Sequence, residues 1–163
     1  MAVPLAAAGI ELVLVDAHPA MVGHLRRRLP QVQVHQSLIE TLRLDQTFDL
    51  IMVPSNILQS TELLKCAAAH MAQDGRLAFE LTNPHWLAAG AHPRFRVQHH
   101  DRDSAAIEVE YADGTVQQAE IRLLWPEDIE DFLATAGLRL LRLSGHPDAE
   151  LDESSTFYVV ARR

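Results

Sequence analysis

Asp16, the turn Val53-Pro54-Ser55-Asn56, a scatter of histidines and a pair of tryptophans are the residues of this chain with side chains suited to chemistry. Asp16 follows the apolar run Ile10–Val15. An acid at the carboxyl end of a buried strand in an open α/β sheet accepts hydrogen bonds from ribose hydroxyls. The same acid can cap a helix starting near Pro19, so two roles stand side by side. Ser55 and Asn56 follow a second apolar run, Phe48–Val53. Ligands of such sheets lie beyond the carboxyl ends of the strands. Pro-Ser-Asn is equally an ordinary loop exit, with Ser or Asn before a helix as its cap.

Of the nine histidines only His99-His100 cluster with acids, Asp101 and Asp103. Metal ligands need fixed spacings on defined elements, and neighbours on a strand point to opposite faces. A solvated, inserted turn without a metal is therefore expected there. His18 and His85 fall near the presumed crevice, and either imidazole suits a general base near neutral pH. Trp86, with Phe95 and a hairpin running to Trp125, fits a lid over a ligand. The preferred alternative is that Trp86 and Trp125 anchor an insertion to the core or form a dimer contact. No nucleophile triad, phosphate loop or paired catalytic acids can be assembled.

The whole chain bounds what these residues can serve. Its 163 residues, 48% hydrophobic and 22% charged, suit one compact domain. A net charge of −8 gives no electrostatic footprint for nucleic acid or anionic membrane, which leaves a small molecule or a protein as partner. The longest apolar stretch is broken by Glu11 and is too short to span a bilayer. No positive region precedes it, so no secretory signal is expected. Cys66 is the single cysteine, which excludes an internal disulfide and suits a reducing cytoplasm.

Short apolar runs alternate with amphipathic segments, the pattern of a parallel sheet covered by helices. Strands are expected at Ile10–Val15, Gln31–His35, Phe48–Val53 (largely buried) and Arg76–Leu81. A helix opening at Pro19 should bury Met21, Val22, Leu25 and Leu29. Another after Ser60 and Thr61 should bury Leu64, Ala67, Ala68 and Met71, and stop at Gln73-Asp74-Gly75. From about Arg94 a β-hairpin is expected, with Asp113-Gly114 between Ile107–Tyr111 and Val116–Leu124. Trp125-Pro126-Glu127-Asp128 should open a helix that Gly137 closes. Final strands are expected at Leu138–Leu143 and Thr156–Ala161, around an acidic loop with Asp148, Glu150, Asp152 and Glu153. One domain over 1–163, with a β insertion at about 94–124, is the expected organisation.

In this order the segments resemble the class I, Rossmann-like S-adenosylmethionine (SAM) methyltransferases. "PLAAAGIELVLVDAHPAMVGHLRRRLP" is similar to the end of the family's first helix, its second strand with terminal acid, and the next helix. "FDLIMVPSNILQ" resembles the fourth strand and its substrate-facing turn, and "MAQDGRLAFELTNP" the helix end and fifth strand. "WPEDIEDFLATAGLRL" and "STFYVVARR" resemble the late helix with the sixth strand, and the seventh strand. The resemblance implies an α/β fold: a Rossmann-like, mostly parallel sheet with helices on both faces and an inserted antiparallel hairpin. It implies SAM as cofactor, held by Asp16 and Ala17 at the ribose, by Leu38 and Ile39 at the adenine, and by Val53 and Pro54. Ser55, Asn56 and Trp86 would face a small-molecule or protein methyl acceptor, and a homodimer is compatible with the pattern. Methyl transfer needs little from a base, because the sulfonium is already activated and in-line positioning supplies much of the rate.

Two departures from the family stand out. Where members carry Gly-Asp for the adenine amino group, this chain has Ser37-Leu38, which removes a charged hydrogen bond of roughly 1.5–3 kcal/mol. The family's first, central strand and glycine-rich loop have no counterpart, since Gly9 is the only glycine in the first 22 residues. Three explanations arise: a misplaced start or truncation, which is favoured; a remnant acting as a cofactor-free binding or scaffold domain; or a rearranged sheet whose two exposed edges pair directly. A nicotinamide-dependent oxidoreductase would use the same acid, but its glycine fingerprint is equally missing.

Overall fold

The computed structural model describes residues 1–90, 95–146 and 151–163, with Phe95 and Asp152 by backbone alone. The chain divides into two compact units, Met1–Asp45 and Gln46–Arg163.

In the first unit, helix α1 (Ala2–Ala7) precedes strand β1 (Val13–Asp16), helix α2 (Pro19–Arg28) and strand β2 (Gln33–Gln36). The strands run parallel from Val13↔Gln33 to Asp16↔Gln36, which requires the α2 crossover between them. Pro19 takes the first helical turn, where its missing N–H leaves nothing unpaired. Val22 and Leu29 are buried and Leu25 is half-buried, as expected, whereas Met21 is exposed. Val22 and Leu29 lie on one line of the helix, and a two-stranded sheet covers little beyond that line. The Arg26 guanidinium donates to the Val34 carbonyl at 2.9 Å and ties α2 to β2.

The second unit contains β3 (Phe48–Val53), α3 (Thr61–Ala69), β4 (Met71–Thr82), α4 (Pro84–Ala88), β5 (Phe95–His100), β6 (Ser104–Glu110) and β7 (Val116–Arg122). A 3₁₀ turn at Pro126–Asp128, α5 (Ile129–Ala134), β8 (Arg139–Ser144), a second 3₁₀ turn at Leu151–Glu153 and β9 (Thr156–Arg162) complete it. Its main sheet has the order β3-β4-β9-β8, with β3 parallel to β4 and the other pairs antiparallel. The architecture is therefore Rossmann-like α/β with a mixed sheet. Leu58, Leu64, Leu77, Leu81, Ile129, Leu133 and Phe157 form its fully buried interior. No helix among the described residues is long and apolar enough to cross a membrane.

Several expectations need correction. β3 is not largely buried: Leu50 and Met52 are about half exposed and only Val53 is buried, because among the described residues β3 has a ladder on one side alone. Among the described residues β1 pairs with β2 alone. Met71 belongs to β4, not to α3, which ends at the cap residue His70. The pairing then jumps from Phe48↔Met71 to Leu50↔Arg76. The expected stop signal Gln73-Asp74-Gly75 is thus a bulge inside a strand that begins earlier than its apolar core. The insertion has three strands, β5-β6-β7, and His99 and His100 end a strand instead of lying in a turn. Arg94, Asp148 and Glu150 lie outside the described residues.

Candidate functional site

Two groups of the expected site residues come together, one in each unit. In the first unit, Asp16 and Gln36 are the last partners of the β1/β2 ladder, and the Ser37 N–H donates to the Asp16 carbonyl at 3.2 Å. Asp16 and the 37–39 loop therefore share the carboxyl end of one parallel pair. The Asp16 Oδ1 atom accepts the His18 N–H at 2.8 Å, an Asx turn leading into α2. The N-cap of α2 is His18, with no side-chain cap bond, so the expected capping role is not the one Asp16 plays. Its Oδ2 accepts no hydrogen bond among the described residues, so this turn and a ribose contact do not compete. Ala17 is the link between that acid and α2. The Ser37 and Thr41 hydroxyls both donate to the Leu38 carbonyl, at 2.8 and 3.4 Å, and the Leu42 N–H donates to the Ile39 carbonyl. This small knot holds the Leu38 side chain outward, 56% exposed, where an apolar face can meet a flat ligand.

In the second unit, Val53 ends β3 and Pro54 carries the chain out of the sheet into two left-handed residues, Ser55 at φ 68° and Asn56 at φ 56°. Consecutive non-glycine residues in that region store strain, which only a firm surrounding can hold. The surrounding is β4: Ser55 N–H donates to Glu80 Oε1 at 2.7 Å, and Asn56 Oδ1 accepts the Thr82 N–H at 2.9 Å. Gln59 adds a strut, donating to the Asn56 carbonyl and accepting the Arg122 N–H. Asn56 thus spends its side-chain oxygen on the sheet, and the exposed Ser55 hydroxyl is the more open polar group. Asn56→Ala should lower stability by about 2 kcal/mol, from the lost hydrogen bond and from alanine's aversion to a left-handed backbone. Asn56→Gly, free of the second penalty, should lose about 1 kcal/mol in the same urea titration.

On the other side of the β4 terminus stands Asn83, fully buried. Its Nδ2 donates to the Leu151 and Ser154 carbonyls at 2.6 and 2.9 Å, and its Oδ1 accepts the His85 N–H at the start of α4. The sequence signal was present, since Asn before Pro is the pairing of a helix cap with a first-turn proline. His85 Nε2 meets Glu127 Oε2 at 3.3 Å, and its ring stands edge-on to Trp125 with centroids 5.0 Å apart. Trp125 in turn donates to the Arg102 carbonyl at 2.7 Å beneath the Arg102 guanidinium, which pairs with Asp128. Trp125 therefore fastens the β5–β6 turn to the start of α5, the anchoring role preferred for it. Trp86 packs on the small core of Leu87, Ala105, Ile107 and Leu123, and also lines a hollow of about 390 Å³ with His146, Glu153, Ser155, Thr156 and Tyr158. Of a lid, Phe95 has its side chain outside the described residues.

The His99–Asp103 cluster does other work. Asp101 Oδ1 accepts the Asp103 and Ser104 N–H groups, both at 2.8 Å. These backbone donors, Ser104 first and Asp103 second, hold its carboxyl below the usual aspartate range. No group of three or more metal-ligating side chains forms among the described residues.

No family model matches the chain, and no curated protein matches it. Solved structures do. The methyltransferase CcbJ from Streptomyces caelestis superposes with a TM-score of 0.71 at 16% identity, over 98% of this chain and 77% of its own. The SAM-bound amino pentose methyltransferase CalS10 from Micromonospora echinaspora gives 0.72 at 21%, over 98% and 78%. The glycopeptide N-methyltransferase MtfA in complex with SAM gives 0.69 at 20%, over 97% and 74%. The chain has the fold of the class I SAM-dependent methyltransferases.

Proposed function

We propose that this chain, built on the class I methyltransferase fold, binds SAM and transfers its methyl group to a small-molecule or protein acceptor in the cytoplasm. The observation that carries the reading is the likeness of fold to SAM-dependent methyltransferases over 97–98% of the chain. In this reading the residues divide by strand end. Asp16 Oδ2 accepts a ribose hydroxyl while Oδ1 keeps the turn before α2, and Ala17 lets the cofactor approach the backbone. Leu38 packs on the purine face and the Ile39 N–H donates to its edge. Val53 and Pro54 line the methionine side, and Ser55, Asn56 and Trp86 face the acceptor. SAM supplies an activated methyl on a sulfonium, so the protein's task is to exclude water and hold the acceptor in line.

Calorimetric titration with SAM tests the reading directly. Micromolar binding is expected, with no response to NADH. Asp16→Ala should weaken SAM by about 10- to 100-fold, the effect of one hydrogen bond to a charged group. Circular dichroism should be unchanged, since the acid's other oxygen makes only one exposed bond to the His18 N–H. Tight NADH binding would point to an oxidoreductase, and a chain silent to both ligands would point to a binding or scaffold domain.

A further inference from the structure

We infer that the hollow beside Trp86 is the acceptor subsite and selects a hydroxylated amine; this rests on the methyltransferase reading above. Position is the first argument. Thr82 ends β4 and faces Thr156 across the β4/β9 ladder, and Thr156 lines the hollow. The Thr82 N–H is the group held by Asn56. The strained 55–56 turn and the hollow therefore flank the two sides of one strand terminus. The short run Asn83-Pro84-His85-Trp86, fixed by the buried Asn83, brings the indole to that end.

Chemistry is the second argument. A volume of about 390 Å³ falls within the range of sites for small organic ligands. The lining offers hydroxyls from Ser155, Thr156 and Tyr158, one carboxylate from Glu153, the imidazole of His146 and the indole of Trp86, with no lysine or arginine among the described residues. The Ser154 hydroxyl is held by backbone groups. Hydroxyls pair with ligand hydroxyls, a carboxylate pairs with an ammonium, and an indole favours a cation and packs against C–H faces. An anionic ligand would meet the Glu153 carboxylate with only the His146 imidazole as a basic group beside it, in a chain of net charge −8. An amine is also a competent acceptor. After yielding a proton to solvent, its nitrogen attacks the methyl carbon; the C–N bond forms as the C–S bond breaks, and the electron pair of the latter stays on sulfur.

The test uses three matched probes: glucosamine, glucose and glucose 6-phosphate. The chain has two tryptophans, so Trp125→Phe leaves Trp86 as the sole indole reporter. Saturable quenching by glucosamine is expected at a concentration about tenfold or more below that for glucose, with none by glucose 6-phosphate. Glu153→Gln should bring glucosamine to the level of glucose. Saturation-transfer NMR on the unaltered chain gives the same ranking independently, should loss of Trp125 loosen the fold. Equal response to glucose and glucosamine, no change in Glu153→Gln, or no saturation by glucosamine would overturn the inference. SAM binding without amine preference defeats this inference alone. Amine preference without SAM affinity defeats the acceptor role by removing the reading beneath it.

Discussion

Asn83→Ala is expected to lower the stability of the Gln46–Arg163 unit by about 3 kcal/mol, with a shifted urea midpoint and an unchanged slope. The side chain is fully buried and makes three hydrogen bonds, so its removal leaves the Ser154 carbonyl and the His85 N–H without this partner and the Leu151 carbonyl with the Ser154 N–H alone. Each buried group left unpaired costs about 1–3 kcal/mol, and the small void left by truncation adds to that. The loss is large against the roughly 5–15 kcal/mol stability of a typical domain. Asn83→Asp should fare no better, because it keeps the acceptor for His85 but loses both donors and buries a charge. A midpoint shift equivalent to less than about 1 kcal/mol would mean that the α4 entry and the Leu151–Ser154 turn are held by something other than this amide.

Gly75→Ala should be comparably harmful for a different reason. A Cβ there would lie 2.7 Å from the Phe48 carbonyl oxygen and 3.0 Å from the Ala72 N and O atoms. All three are backbone atoms that cannot rotate aside. The bulge would have to open and the β3/β4 pairing shift, at a cost of about 3 kcal/mol, the upper part of the range for overpacking. Gly114 provides the contrast: it has a left-handed φ of 81° and open space around it. Gly114→Ala should cost only the dihedral penalty of about 1–2 kcal/mol. Thermal melts of the two variants, side by side, separate steric from torsional need for glycine.

The sequence made much of this arrangement legible, and the failures have physical causes. The strands ending at Asp16 and Val53, the helix at Pro19 and the Asp113-Gly114 turn all follow from local patterns that tertiary contacts reinforce. β3 read as buried because Leu50, Ile51, Met52 and Val53 form an unbroken apolar run, yet pairing on one side alone leaves Leu50 and Met52 in solvent. Periodicity measures how apolar a strand is, not how many neighbours it acquires. Gln73-Asp74-Gly75 has the composition of a stop, and a bulge uses the same residues for the same tight backbone. β5 escaped notice because Arg96, Gln98, His99 and His100 hide its alternation, and its place in a sheet comes from the β6 ladder. At the site, Asp16 and Leu38 could be linked in advance because strand ends converge. Glu80 and Glu127 could not, since each acts by meeting a residue distant in sequence, and of Asn83 only the cap on α4 is local while its bonds to Leu151 and Ser154 are not.

The one-sided ladder of β3 also sets how copies of this chain behave toward one another. An edge without a ladder partner among the described residues, with Leu50 and Met52 exposed, attracts extended segments at short range, in either direction. Opposing it are the net charge of −8 and, on the strand itself, the exposed Asp49. The attraction survives salt, whereas the repulsion fades over a Debye length of about 8 Å at physiological ionic strength. Colloidal stability of the chain thus becomes a function of ionic strength: concentrated samples stay dispersed in dilute buffer and self-associate as salt is raised.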